Sequence, residues 1–198
     1  MAESITPLHK STNLPPEIEE QLRQAFTRLQ FKRGDRITSL SELRDNLFYI
    51  TRGSARLFYI LSGKEHTFSF ALEDEVLLVS HVLLYSPDVV VTVEFLEPTE
   101  VMLIQQSTLH DMVRTVTNPT LLESLHEARA NGFMRYCQFL EERLMMLQNT
   151  SATERYAWMC RRYPRIIERA TITQVASFLG ITRETLYRIR SQKYKVGK

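Results

Sequence analysis

Arg183, Glu184 and Arg188 lie within one and a half turns of a single helical pattern near the C-terminus, and all three side chains suit hydrogen bonding to flat, edge-presented groups. A guanidinium fork pairs bidentately with O6 and N7 of guanine, and a carboxylate accepts from N4 of cytosine. Thr171, Thr182 and Thr185 carry hydroxyls placed to bond phosphate oxygens, and a helix N-terminus also favours an anion. Arg190, Lys193 and Lys195 add cations for the same backbone. The chemistry on offer is reading the floor of a DNA major groove.

Such a set needs a scaffold that presents it. In Ile172–Leu179, the apolar Val175, Phe178 and Leu179 fall three and four apart, giving one buried helix face. Gly180 stands where a helix ends in a left-handed residue, a conformation that costs glycine nothing sterically. Thr182 then caps a second helix that buries Leu186 and Ile189 and turns Arg183, Glu184, Tyr187, Arg188 and Arg190 outward. Two helices joined by a glycine turn make a helix-turn-helix. A helical hairpin with a merely solvated charged face has the same pattern.

Charge separates the alternatives further. The net charge of the 198 residues is only +2, but residues 1–150 hold 14 Lys/Arg against 20 Asp/Glu, whereas residues 151–198 hold 11 against 3. A basic segment on an acidic body is the electrostatic footprint of a phosphate-backbone binder. At 43% hydrophobic and 24% charged the composition is that of an ordinary globular protein. No apolar run approaches the 18 residues of a membrane span, and Met-Ala-Glu-Ser-Ile-Thr-Pro is not a secretory leader, so a cytoplasmic location is expected. Cys137 and Cys160 are too few for a disulfide scaffold or a metal cluster and are expected as buried free thiols.

Along the chain, residues 1–14 show no periodicity. Pro15-Pro16 opens a helix predicted to run to about Leu29. From Phe31 to Gln106 the pattern is of short β-type runs between turn residues: 31–37 as a strand, a turn and the start of another strand, then 46–53, 54–61, 65–70, 76–79, 89–95 and 100–105, with Ser62-Gly63-Lys64 as a hairpin turn. Seven or more strands so spaced predict a jelly roll or barrel. Helical periodicity returns at 108–116, and Asn118-Pro119 caps a helix predicted to reach about Gln148. Its two apolar stripes exceed what one small barrel covers, so Leu125, Phe133, Tyr136, Leu140 and Leu144 are expected to pack on a second subunit; burial of one broad face within the monomer is the other reading. Residues 149–153 are a polar break, and a helix over 154–163 carries Trp158 into the core of the small domain. The fold class is α+β: a β-roll over 15–117, a long helix over 118–149 and an all-α helix-turn-helix domain over 150–198.

A β-roll, one long helix, a break and a C-terminal helix-turn-helix ending Gly180-Ile-Thr-Arg-Glu-Thr-Leu-Tyr-Arg-Ile resemble the Crp/Fnr family of bacterial transcription regulators over about residues 15–192. Thr182-Arg-Glu-Thr-Leu-Tyr-Arg188 carries the likeness most sharply, and Gly34, Gly53 and Gly63 look like the glycines of that family's cyclic-nucleotide-binding-like roll. The resemblance implies that Arg183, Glu184 and Arg188 read base edges while Thr171, Thr182 and Thr185 hold phosphates. It also implies double-stranded DNA, a second copy of the chain and RNA polymerase as partners, with no membrane.

The departures matter as much. A cyclic-nucleotide binder of the family has a phosphate cassette with Gly-Glu-Leu and then Arg-Ser or Arg-Thr; residues 75–92 here contain neither glycine nor arginine. Burying an uncompensated phosphate costs several kcal/mol, so no response to cyclic AMP or cyclic GMP is expected. Residues 1–30 lack the cysteines of a cluster-binding branch, and a haem-sensing branch would rest on His66 and His81 alone. His81 and Tyr85 line either an effector pocket or filled core, and no cofactor or metal is expected. Only nine residues follow Ile189, too few for the family's wing hairpin. Two other classes compete. A cupin-like metal enzyme would need clustered histidines, but Thr67 and Phe68 follow His66. A sensor acting through protein contacts would not need the Arg-Glu-Thr-x-x-Arg pattern.

Overall fold

The structure, a computed structural model, describes residues 16–77 and 89–196. Helix α1 (Pro16–Ala25) leads into β1 (Thr27–Phe31), β2 (Arg36–Ile37), α2 (Leu40–Asp45), β3 (Asn46–Arg52), β4 (Ala55–Leu61), β5 (Lys64–Ala71), β6 (Val76–Leu77), β7 (Val90–Phe95) and β8 (Thr99–Gln105). Six helices follow: α3 (Gln106–Thr115), α4 (Pro119–Asn149), α5 (Ala152–Arg162), α6 (Pro164–Arg169), α7 (Ile172–Leu179) and α8 (Arg183–Val196).

The strands form two four-stranded antiparallel sheets, ordered β1-β8-β3-β6 and β2-β7-β4-β5. Alternation along each strand sends Phe48, Ile50 and Val101 from one sheet and Leu57, Val93 and Phe95 from the other into a shared interior. Phe31 stacks on Phe95 with ring centroids 3.9 Å apart at the rim. The β4–β5 hairpin turns at Ser62 and Gly63, both at positive φ, which matches the twist of the flanking strands.

Several expected boundaries move. The first helix stops at Ala25, four residues short of Leu29, because Thr27–Phe31 pairs with β8, Thr27 opposite Leu103 and Phe31 opposite Thr99. That ladder pairs the backbone groups of this edge strand that face β8, and it outweighs the apolar helical pattern of the segment. Helix α2 was not anticipated, although Ser39 three residues before Glu42 is an N-cap signature; its hydroxyl accepts from the Glu42 N–H at 3.3 Å. Pro164 does not merely end a helix: it occupies the first turn of α6, where a missing N–H costs nothing. Cys137 and Cys160 are half-buried rather than buried.

Asn118 caps the 31-residue α4 by accepting from the Thr120 and Leu121 N–H groups. At about 1.5 Å per residue that helix spans ~46 Å. Ser151 and Glu154 cap α5 reciprocally, with Ser151 N–H donating to the Glu154 carboxylate at 2.7 Å. A second apolar core then joins α5 to α8 with the outer face of the roll: Met159, Ile166, Phe178 and Leu186 pack together with Phe70 and Leu96.

Candidate nucleic-acid interface

Thr171 begins α7 with a capping box, its hydroxyl accepting from the Gln174 N–H while the Gln174 amide oxygen accepts from the Thr171 N–H. The helix ends at Gly180 with φ 65°, and the Gly180 and Ile181 N–H groups cap its last turn. A side chain at Gly180 would adopt a left-handed conformation and press on the Leu147 Cδ2 methyl, 3.3 Å from where a Cβ would sit. Thr182 starts α8: its hydroxyl accepts from the Thr185 N–H and pairs with the Thr185 hydroxyl, both at 3.1 Å.

Helix α8 buries Leu186 and Ile189, while Arg183, Glu184, Tyr187 and Arg188 stand in solvent on the opposite side. The backbone N–H of Glu184, then the Thr182 hydroxyl, hold the Glu184 carboxyl below its ordinary range, so it is an acceptor at neutral pH. Arg190 departs from expectation. It lies four residues after Leu186, on the buried side, and its Nε donates to the Tyr156 hydroxyl at 2.9 Å. The helix runs on to Val196. The side chains of Lys193 and Lys195 lie outside the described ones, as do His81 and Tyr85 altogether.

Much of the C-terminal positive charge is spent within the molecule. Arg155 caps carbonyls at both helix ends it lies between, donating to Leu147 O, Thr150 O and Leu179 O at 3.1, 3.2 and 3.2 Å. Arg165 and Arg169 both pair with Glu73 of the roll, at 2.7 and 2.9 Å, and Arg169 reaches Glu97 at 3.0 Å. Exposed Arg183 and Arg188 are therefore set apart from a ring of internally committed arginines.

The helix-turn-helix domain is fastened to the roll by further groups that the sequence did not single out. Ser177 of α7 sits between strand groups, accepting from Thr67 N–H at 2.9 Å and donating to Glu65 O at 3.0 Å. The Gln174 amide donates to Glu94 at 3.1 Å, and Glu94 is also paired with Arg36 and with buried Arg56. From α4, Arg143 donates to Thr67 O at 3.1 Å and lies 4.2 Å from the centre of the Phe178 ring. Burial brings the Arg143 guanidinium down to about 10, and its Nη1 has no partner among the described residues. The Thr171–Gln174 spacing was readable as a cap; the long-range use of Gln174, Ser177 and Arg143 left no local signal.

On α4, Phe133 is 65% exposed and Leu144 55%, with Leu140 at 42%. Leu125 and Tyr136 are half-buried. A broad face buried within the monomer is thus not what this helix has. His66 stacks on Tyr59 at 5.2 Å. Among the described residues no group of three His, Cys, Asp or Glu is placed to hold a metal ion, and no helix is long and apolar enough to cross a membrane.

A two-sheet roll carrying a long helix and a helix-turn-helix domain defines the Crp/Fnr-type fold. Solved structures share it across nearly the whole chain. FixK2 from Bradyrhizobium japonicum matches with a TM-score of 0.67 at 20% identity, over 87% of this chain and 86% of that one. The c-di-GMP responsive global regulator CLP of Xanthomonas campestris matches with a TM-score of 0.69 at 15% identity, over 92% and 93%. A protein of Eubacterium rectale assigned to the Crp/Fnr family of transcriptional regulators matches with a TM-score of 0.60 at 17% identity, over 96% and 88%. No family model matches the sequence, and no curated protein sequence does.

Proposed function

We propose that this chain is a homodimeric, sequence-specific DNA-binding regulator of transcription, with α8 lying in the major groove. The observation that carries the reading is the division of α8 into two sides: Leu186 and Ile189 buried, Arg183, Glu184, Tyr187 and Arg188 presented together to solvent. Arg183 and Arg188 pair with guanine edges and Glu184 accepts from cytosine. Thr171, Thr182 and Thr185 sit at the starts of α7 and α8, where helix dipoles and hydroxyl protons favour phosphate. Lys193 and Lys195 extend the backbone contacts. Arg190 is assigned to the packing of α8 on α5 and not to DNA.

The solvent-facing Phe133, Leu140 and Leu144 support pairing of two α4 helices, which places two α8 helices for a two-fold site. Residues 75–92, without glycine or arginine, support a regulator that does not answer to cyclic AMP. The test is a gel-shift titration with duplexes enriched from random sequence, run between 50 and 200 mM salt, conditions over which phosphate-binding proteins lose affinity steeply. Wild type binds with a steep salt slope; Lys193→Ala and Lys195→Ala flatten the slope and weaken all duplexes alike. Failure to retain any duplex at low salt refutes the reading.

A further inference from the structure

We infer that Tyr187 is a specificity-determining residue that reads the C5-methyl group of a thymine, an inference that rests on the DNA-binding reading of α8. At 60% exposure Tyr187 is among the most solvent-exposed large apolar side chains of the described residues, and no other described one in the helix-turn-helix domain is as exposed. Of the other described aromatics of that domain, Phe178 is fully covered, Tyr156 and Tyr163 nearly so, and Trp158 is half-buried against Tyr163 and Phe178. Among the described aromatics of the domain, Tyr187 alone stands mainly in solvent, on the same side of α8 as Arg183, Glu184 and Arg188.

Its position says what it meets on DNA. At about 100° per residue, Arg183, Tyr187, Glu184 and Arg188 fall within a sector about 140° wide, with Tyr187 inside it and the cations at its two edges. Tyr187 is one turn beyond Arg183 and three residues beyond Glu184, so it shares their face of the helix. Arg183, Glu184 and Arg188 cover the polar edges of guanine and cytosine. The one apolar feature of the major groove is the thymine methyl, and aromatic and methyl side chains are what meet it. The ring also fixes the range of contacts available: with only two side-chain torsions it loses little freedom on docking.

Enrich a binding site from random duplexes with the full-length protein, then measure affinity for that site with each thymine in turn replaced by deoxyuridine, which removes only the methyl. One thymine position per half-site is expected to lose about 3- to 10-fold on replacement, the order set by burying a methyl-sized group. Tyr187→Phe keeps that discrimination, and Tyr187→Ala abolishes it, binding thymine and uracil versions alike. Arg183→Ala, which leaves the ring in place, still discriminates. Indifference of the wild type to every deoxyuridine substitution overturns the inference while leaving DNA binding intact; equal discrimination by Tyr187→Ala overturns it too. A protein that enriches no duplex at all fails at the earlier step, and both readings go with it.

Discussion

Arginines of one stretch of chain have opposite fates here, and the difference is one of helical phase. Arg183 and Arg188 project from α8 into solvent, while Arg190 turns back to donate to Tyr156, at 2.9 Å. Their substitutions should therefore separate. Arg183→Ala and Arg188→Ala are expected to cost about 1–3 kcal/mol at the preferred site and to relax base preference there, with the unfolding midpoint unchanged. Arg190→Ala should instead lower stability by about 1.5 kcal/mol, the low end for a hydrogen bond from a charged donor, with base preference intact. Parallel DNA titrations and chemical denaturation check both, and a shift of base preference in Arg190→Ala would contradict the assignment. The buried and exposed sides of α8 were legible because apolar spacing fixes phase. Arg190 was misplaced because a basic residue at the edge of the apolar sector is read as outward; its phase beside Leu186 and the Tyr156 hydroxyl on a neighbouring helix turn it in. The same blindness inflates the charge signal: the surplus of Lys/Arg over residues 151–198 includes Arg155, Arg165 and Arg169, all committed to carbonyls or carboxylates of this chain.

At the scale of elements, strands with clean turn chemistry were readable in advance, and those whose existence depends on a distant partner were not. The Ser62–Gly63 hairpin is fixed by positive φ at both residues. Strand β1 exists because β8 lies beside it, so its first residues looked helical in isolation. Helix α4 was legible in length from Asn118-Pro119 onward, and its apolar content beyond one face pointed to a second surface. Exposure of Phe133, Leu140 and Leu144 gives that surface a location. Leu140→Glu combined with Leu144→Glu is expected to leave the secondary structure and thermal midpoint of the chain nearly unchanged, since neither residue is buried in it, yet to convert a dimer into a monomer on sedimentation. DNA affinity should fall with it, because one reader then meets one half-site. A dimer persisting in the double variant would move the interface away from α4.

Across the whole molecule, the helix-turn-helix domain is held against the roll by contacts from three helices: Arg165 and Arg169 on Glu73, Ser177 on β5, and Arg143 between Thr67 O and the Phe178 ring. Arg155 meanwhile ties the end of α4 to the end of α7. The end of α4 and the end of α7 are thus joined by side-chain hydrogen bonds as well as by the chain between them. Glu73 makes this arrangement sensitive to acid. Burial raises its carboxyl, but its backbone hydrogen bond and the Arg165 and Arg169 guanidiniums outweigh that and hold it below the ordinary 4.5. A group whose folded value is depressed contributes fully above the unfolded value and loses that contribution as pH falls through the folded one. The urea midpoint of wild type should therefore drop on acidification below about pH 4.5 by more than that of Glu73→Gln, the two curves converging at low pH; parallel curves would exclude Glu73 from the fastening. None of this clamp was visible in sequence, since Glu73 and Arg169 have no local pattern linking them across 96 residues. The central claim, that two copies of α8 occupy successive major grooves, is tested most directly by the sequence the protein selects from random duplexes. A two-fold symmetric site with half-site centres about 10 base pairs apart is the predicted result, and an enriched site lacking that symmetry would contradict it.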